Sequence, residues 1–155
     1  MRIMFVCHGN ICRSPMAEMI FSHMLAERGV SGVEVASSAT STEEIYRGVG
    51  NPVYPPALRE LRRHGIPTWE RRAVQLTAAD YGRYDLFLLM DGRNLRGISA
   101  IFPTDHEGKV KRLLDYAGGG DVADPWYTGN FEAAYSDIYR GCEALLRELL
   151  ESGAV

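Results

Sequence analysis

Ile3-Met4-Phe5-Val6-Cys7-His8-Gly9-Asn10-Ile11-Cys12-Arg13-Ser14-Pro15 opens on an apolar run and closes on a helix start. Residues 2–6 suit a buried first strand that ends at a glycine-containing turn. Ser14 reads as an N-cap and Pro15 as the first helical residue. Glu18 stands one place too late for a strict capping box. The helix runs to about Arg28, where Gly29 is a natural stop. Met16, Ile20 and Met24 share its inward face.

Val33–Ala36 reads as a second strand, followed by a polar loop from Ser37 to Tyr54 marked by Gly48, Gly50 and Pro52. Pro55 to His64 reads as a second helix that ends at Gly65. Thr77 caps a short helical turn, Tyr84 to Met90 is a strongly apolar strand, and Asp91 to Leu95 begins another short helix. A fourth short strand falls near Val110 to Leu114. Asp115 to Asn130 reads as a loop with Gly118, Gly119 and Gly120. Phe131 to Glu151 is a long helix with Phe131, Tyr135, Ile138, Cys142 and Leu145 at helical spacing. Strands alternating with helices predict an α/β fold: one three-layer domain over residues 1–155, a four-stranded parallel sheet flanked by helices. Such sheets bind ligands at the carboxyl ends of their strands. Val6-Cys7 is the first such end, so a phosphate-binding loop follows strand 1.

Composition narrows the function. The 155 residues are 46% hydrophobic and 24% charged, which suits a soluble protein with a core that needs no staple. A net charge of −3 argues against a nucleic-acid partner. Arg62, Arg63, Arg71 and Arg72 form local clusters that read as a solvated face. No apolar run reaches the length of a membrane span, and the opening residues lack a cleavage site, so no membrane partner and a cytoplasmic location are expected. Three cysteines, Cys7, Cys12 and Cys142, do not make a disulfide framework. Cys142 reads as a small buried hydrophobe.

The loop from Cys7 to Ser14 has the parts of an oxyanion cradle. A loop of this length can aim several backbone N–H groups at one anion, and the helix N-terminus adds partial positive charge. Arg13 offers a planar fork that grips two phosphate oxygens. Gly9 and Asn10 tolerate left-handed backbone angles. The same field favours a thiolate at Cys7, since helix ends and cations lower a thiol's pKa to roughly 3.5–7.5. The Ser14 hydroxyl can donate to that sulfur. The arrangement serves a nucleophile attacking a bound phosphate. A zinc site from Cys7, His8 and Cys12 lacks a fourth ligand at a usual spacing, and an ATP-binding loop lacks its Gly-Lys-Ser/Thr. No cofactor and no metal are expected.

The stretch from Phe5 to Glu18 resembles the signature of the low-molecular-weight protein tyrosine phosphatases. His64-Gly65-Ile66, Met90-Asp91 with Asn94-Leu95, and Asp124-Pro125 follow in family order. The resemblance implies a phosphotyrosine-protein substrate, with Cys7 as nucleophile, Arg13 as phosphate ligand, and Asn10 and Ser14 supporting loop and thiolate. The backbone of His8, Gly9, Asn10, Ile11 and Cys12 would hold the phosphate. Read locally, Asp124-Pro125 is a turn. The resemblance makes Asp124 the proton donor, followed by the aromatics Trp126 and Tyr127, which with Tyr46 would wall a ring-sized slot. Cys12 is either loop packing or, as the family implies, a redox partner that traps oxidised Cys7 as a disulfide. Asp91 either anchors loops near the site or caps its helix.

Relatives that act on phosphoarginine carry threonine where Ile11 stands, so the resemblance favours tyrosine over arginine. Arsenate reduction on this fold needs further cysteines in the Asp115–Asn130 loop, which has none. A non-catalytic phosphotyrosine-binding module would lose the nucleophile or the acid. A thiol-disulfide protein would carry Cys-x-x-Cys. Three departures touch supporting loops: Ser37-Ser38-Ala39-Thr40 after the second strand, Tyr54-Pro55-Pro56 before the second helix, and the loss of a frequent histidine near Glu70. A monomer or weak dimer is expected.

Overall fold

The computed structural model describes all residues, Met1–Val155. The elements run β1 (Arg2–Cys7), α1 (Arg13–Glu27), β2 (Glu34–Ala39), β3 (Ile45–Tyr46), β4 (Val49–Gly50) and α2 (Pro55–Arg63). After a 3-10 turn at Ala78–Gly82 come β5 (Leu86–Leu89), α3 (Gly92–Ser99) and β6 (Val110–Arg112). A second 3-10 turn at Leu113–Ala117 leads to α4 (Pro125–Thr128) and α5 (Phe131–Glu151).

The four long-range strands form one parallel sheet in the order β2-β1-β5-β6, as expected from the alternation of strands and helices. The pleat of β1 divides the core in two. Ile3, Phe5 and Cys7 pack with α1, α2 and α5 in the larger cluster. Met4 and Val6 face the smaller one with Phe87, Leu89, Ile98 and Phe102. Burial on both faces explains the unbroken apolar run of β1. Cys7 is thereby the last β1 residue on the helix-rich face, paired in register with Ala39.

Several local expectations need correction. The supposed 115–130 loop holds α4 (Pro125–Thr128), whose Trp126 amide is capped by Asp124. Helix α1 begins at Arg13, with Cys12 as its N-cap and no side-chain cap. Ser14 lies inside the first turn, its hydroxyl committed to Cys7. Pro15 is then the third helical residue, still among the amides that have no intrahelical acceptor, so its missing N–H breaks no helix bond. Strand β2 runs on through Ser37 and Ser38, polar residues that the pattern left in a loop. Their register is set by pairing with Phe5 and Val6. The supposed 37–54 loop also holds the hairpin β3–β4. Arg47 (φ 50°) and Gly48 (φ 79°) make its two-residue turn, the left-handed pair that a type I′ turn requires. Gly50 lies so close to the backbone of Ala73 that a Cβ there would stand 2.0 Å from the Ala73 carbonyl oxygen.

Candidate active site

Cys7 sits buried at the floor of a cavity lined by residues 7–13, Glu43, Glu44, Asp124, Trp126 and Tyr127. Its Sγ is 2.9 Å from Ser14 Oγ, and the Asn10 amide donates to it at 3.3 Å.

The loop's carbonyls are held on its outer side. Thr40 N donates to Cys7 O (3.0 Å), Ser41 N to His8 O (3.0 Å), Tyr54 N to Ile11 O (2.9 Å) and Met16 N to Cys12 O (3.1 Å). In a trans peptide the N–H points opposite to the C=O. The amides of His8, Gly9, Cys12 and Arg13 therefore turn away from those partners, to the side that lines the cavity. The absence of a side-chain cap on α1 leaves its first amides free for the same use. Asn10 holds the loop's left-handed turn at φ 59°. Gly9 does not use a left-handed angle. A Cβ there would lie 3.1 Å from Glu44 Cγ, so the Glu44 side chain would have to give by a few tenths of an ångström.

Arg13 is nearly inaccessible, its side chain 3% exposed, and two aspartates hold it. NH1 donates to Asp91 Oδ2 at 2.6 Å and to Val122 O at 2.8 Å, and NH2 reaches Asp124 Oδ2 at 3.4 Å. Each aspartate also caps a helix with its other oxygen. Asp91 Oδ1 accepts from Asn94 N (3.0 Å) at the start of α3, and Asp124 Oδ1 accepts from Trp126 N (3.0 Å) at the start of α4. The two readings of Asp91 thus hold together. Burial alone would raise its pKa, but Arg13 and the capped amides bring it below the ordinary carboxylate value. Burial likewise works against the charge on Arg13, yet the Cys7 sulfur, Asp91 and Asp124 raise its pKa above the ordinary value.

Cys12 is buried beside the loop. Burial first, then Cys7 and Asp124, push its thiol well up, so it stays protonated. The His8 side chain turns out to Glu43 at 3.0 Å, so only its backbone serves the cradle. Trp126 is 53% exposed on the cavity wall, and its ring leans on Tyr54 with centroids 4.9 Å apart. Tyr127 and Ile11 line the same cavity. Tyr46 does not: it is exposed on the hairpin with the Arg47 guanidinium 5.4 Å above its ring.

Sequence reasoning missed a layer beneath the loop. Asn10 Nδ2 donates to Ser14 Oγ (2.8 Å) and Ser37 Oγ (3.0 Å). Its Oδ1 accepts from Arg71 NH2 (2.9 Å) and Val74 N (3.0 Å). Arg71, read as part of a solvated face, is only 12% exposed, and Glu18 lies 3.6 Å away with equal burial. Glu18, a carboxylate among the mostly buried residues of helix α1, was the available signal, since buried charges are paired. Glu43 and Glu44 were also missed; nothing local in their sequence marks them. Tyr54, noted only as a departure before the second helix, proves to support the Trp126 ring.

A buried sulfur in a loop whose amides turn to the cavity, with the Arg13 fork and the Asp124 carboxylate at the same cavity, suits a tetrahedral oxyanion. Residues 2–154 match the family described as low molecular weight phosphotyrosine protein phosphatase, and the chain belongs to that family. Among its relatives is the low molecular weight protein-tyrosine-phosphatase YfkJ of Bacillus subtilis, 39% identical over 95% of this chain and 94% of that protein. The PtpA protein of Staphylococcus haemolyticus is 36% identical over 93% and 90%. The crystal structure of YfkJ superposes with a TM-score of 0.90, covering 98% of this chain and 96% of that one. A Drosophila arginine phosphatase also superposes, with a TM-score of 0.84 at 29% identity over 96% and 97%.

Proposed function

We propose that this chain is a cytoplasmic protein-tyrosine phosphatase, monomeric or weakly dimeric, that works through a cysteinyl-phosphate without cofactor or metal. The observation that carries the reading is the Cys7 sulfur, hydrogen-bonded by Ser14 and Asn10, at the floor of a cavity that Arg13 and Asp124 also line. The phosphate dianion docks on the loop amides and the Arg13 fork. Cys7 attacks phosphorus in line with the leaving phenolic oxygen. Asp124 enters in its acid form and gives its proton to that oxygen, so tyrosine leaves neutral. Asp124 then takes a proton from the water that attacks the cysteinyl-phosphate. Phosphate departs and the thiolate returns. The amides and Arg13 stabilise the charge spread over the equatorial oxygens.

The walls favour an aromatic substrate, because Ile11, Trp126 and Tyr127 present apolar surface to a neutral ring. Phosphoarginine is the second reading, supported by the carboxylates of Glu43 and Glu44 at the same cavity, which suit a guanidinium. Turnover of phosphotyrosine, phosphoserine and phosphoarginine peptides, with vanadate as competitor, separates them. We expect phosphotyrosine to be preferred and Cys7→Ser to be inactive. Equal or better turnover of phosphoarginine would overturn the substrate assignment, and activity in Cys7→Ser would overturn the mechanism.

A further inference from the structure

We infer that Arg71 is a positioning residue of the phosphate loop, a second guanidinium that fixes Asn10 and stands beneath the nucleophile. The inference rests on the reading of Cys7 as nucleophile and goes beyond it.

Arg71 lies on the far side of the loop from the substrate cavity and is not among its lining residues. Its guanidinium spans two groups of the layer beneath Cys7. NH2 donates to Asn10 Oδ1 at 2.9 Å, and NH1 donates to Ser37 Oγ at 2.7 Å. Those bonds orient the Asn10 amide so that Nδ2 points at Ser14 Oγ, which in turn meets Cys7 Sγ at 2.9 Å. The chain of contacts therefore runs from Arg71 through Asn10 and Ser14 to the sulfur. It also passes through the one non-glycine residue of the loop with a left-handed backbone.

A solvated arginine needs none of this. Burial works against the charge of Arg71 and lowers its pKa, while Glu18 and the Cys7 sulfur oppose the fall. The neutral Val74 amide also donates to Asn10 Oδ1, so the inference assigns Arg71 a role for its charge as well as for its hydrogen bonds. Guanidinium does not lose its proton in the working pH range. The groups facing this assembly are Glu18 from α1, Arg13 and Cys12 from the loop, and Asp91, Asp124 and Glu44 across the cavity. Among them Arg71 is the cation bonded to Asn10 on the side away from substrate.

The test compares Arg71→Gln, Arg71→Lys and Arg71→His in the full chain. The readouts are the pH profile of kcat/KM on an aryl phosphate, the pH dependence of Cys7 inactivation by iodoacetamide, and urea unfolding to certify the fold. Arg71→Gln should lose about tenfold in inactivation rate at the acid end, with the midpoint displaced upward by about one pH unit. Arg71→Lys should restore the acid limb, because it keeps the charge, while recovering only part of kcat. Arg71→His should match Arg71→Lys at low pH and fall toward Arg71→Gln as the imidazole loses its proton. Arg72→Gln serves as the control; its guanidinium binds the Gly50 carbonyl (3.0 Å), and its pH profile should match the parent. Folded Gln and Lys variants sharing the parent's acid limb would overturn the inference, as would a Gln variant with parental kcat/KM. Failure of the phosphatase reading would appear separately, as turnover surviving in Cys7→Ser.

Discussion

Replacing Asp91 separates two roles that one side chain performs. Its Oδ2 holds the buried Arg13 at 2.6 Å, and its Oδ1 caps α3. Asp91→Asn keeps an acceptor for the cap, since Asn caps as well as Asp. It removes the charge opposite Arg13. Breaking a buried pair costs roughly 3–5 kcal/mol when the surviving charge has no other partner. Arg13 keeps the Val122 carbonyl at 2.8 Å and Asp124 at 3.4 Å. The bottom of that range therefore applies, about 3 kcal/mol. Asp91→Ala loses the cap as well, about 1 kcal/mol more. Urea unfolding at pH 7 should rank the parent above Asp91→Asn and Asp91→Ala last. kcat/KM on an aryl phosphate should fall at least tenfold in both, because the Arg13 fork loses the contact that aims it. The pH dependence follows with a definite sign. The folded-state pKa of Asp91 is depressed, so its stabilisation is complete above the unfolded carboxylate value and is lost as pH falls through the folded one. The gap between parent and Asp91→Asn should therefore close below about pH 4. An Asp91→Asn variant that unfolds at the parental midpoint, or a gap that persists unchanged at pH 2, would refute this account of the pair.

Asp124→Asn keeps the α4 cap but cannot donate a carboxyl proton, so kcat on phenyl phosphates should fall by about 10²–10⁴, measured at fixed pH with a poor and an activated leaving group. The loss should be smaller for the activated one; equal losses would remove the acid role. Mild peroxide should convert Cys7 to a sulfenic acid, and the Cys12 sulfur should displace its hydroxyl, releasing water and forming a disulfide. Mass spectrometry should show that link with activity recovered by dithiothreitol, while Cys12→Ser should proceed to sulfinic acid and stay inactive. Gly141→Ala gains about 1 kcal/mol in helix propensity. The new Cβ would meet Leu113 Cγ at 2.6 Å, so overpacking of about 1–3 kcal/mol should make the variant less stable in urea.

The parallel sheet was legible because β1 and β5 are apolar on both faces, and α5 because its periodicity runs unbroken from Phe131 to Glu151. The front of the site was legible because Cys7, Arg13 and Ser14 lie within eight residues, where spacing alone sets geometry. What stayed hidden depends on distant partners. Ser37 reads as a loop residue until Asn10 and Arg71 satisfy its hydroxyl inside a strand. Arg71 reads as surface until Glu18, from a helix 53 positions earlier, is placed beside it. The N-cap was misassigned for a related reason. Ser14 has the chemistry of a cap, but the sulfur of Cys7 competes for its hydroxyl, and that sulfur arrives from the strand rather than from the helix.

The two aspartates share one capping arrangement and differ in how they meet Arg13. Each gives one oxygen to a helix N-terminus and turns the other toward Arg13, so both are aimed by the same device. They diverge in distance and exposure. Asp91 lies 2.6 Å from the guanidinium and is 13% exposed, whereas Asp124 lies at 3.4 Å and is 28% exposed. The proposed mechanism needs one proton for the leaving oxygen. Asp91 cannot supply it without releasing the short contact that orients Arg13. Asp124 holds Arg13 by the longer contact, and its carboxylate lines the cavity that the leaving oxygen must occupy, so the proposal gives it the acid role.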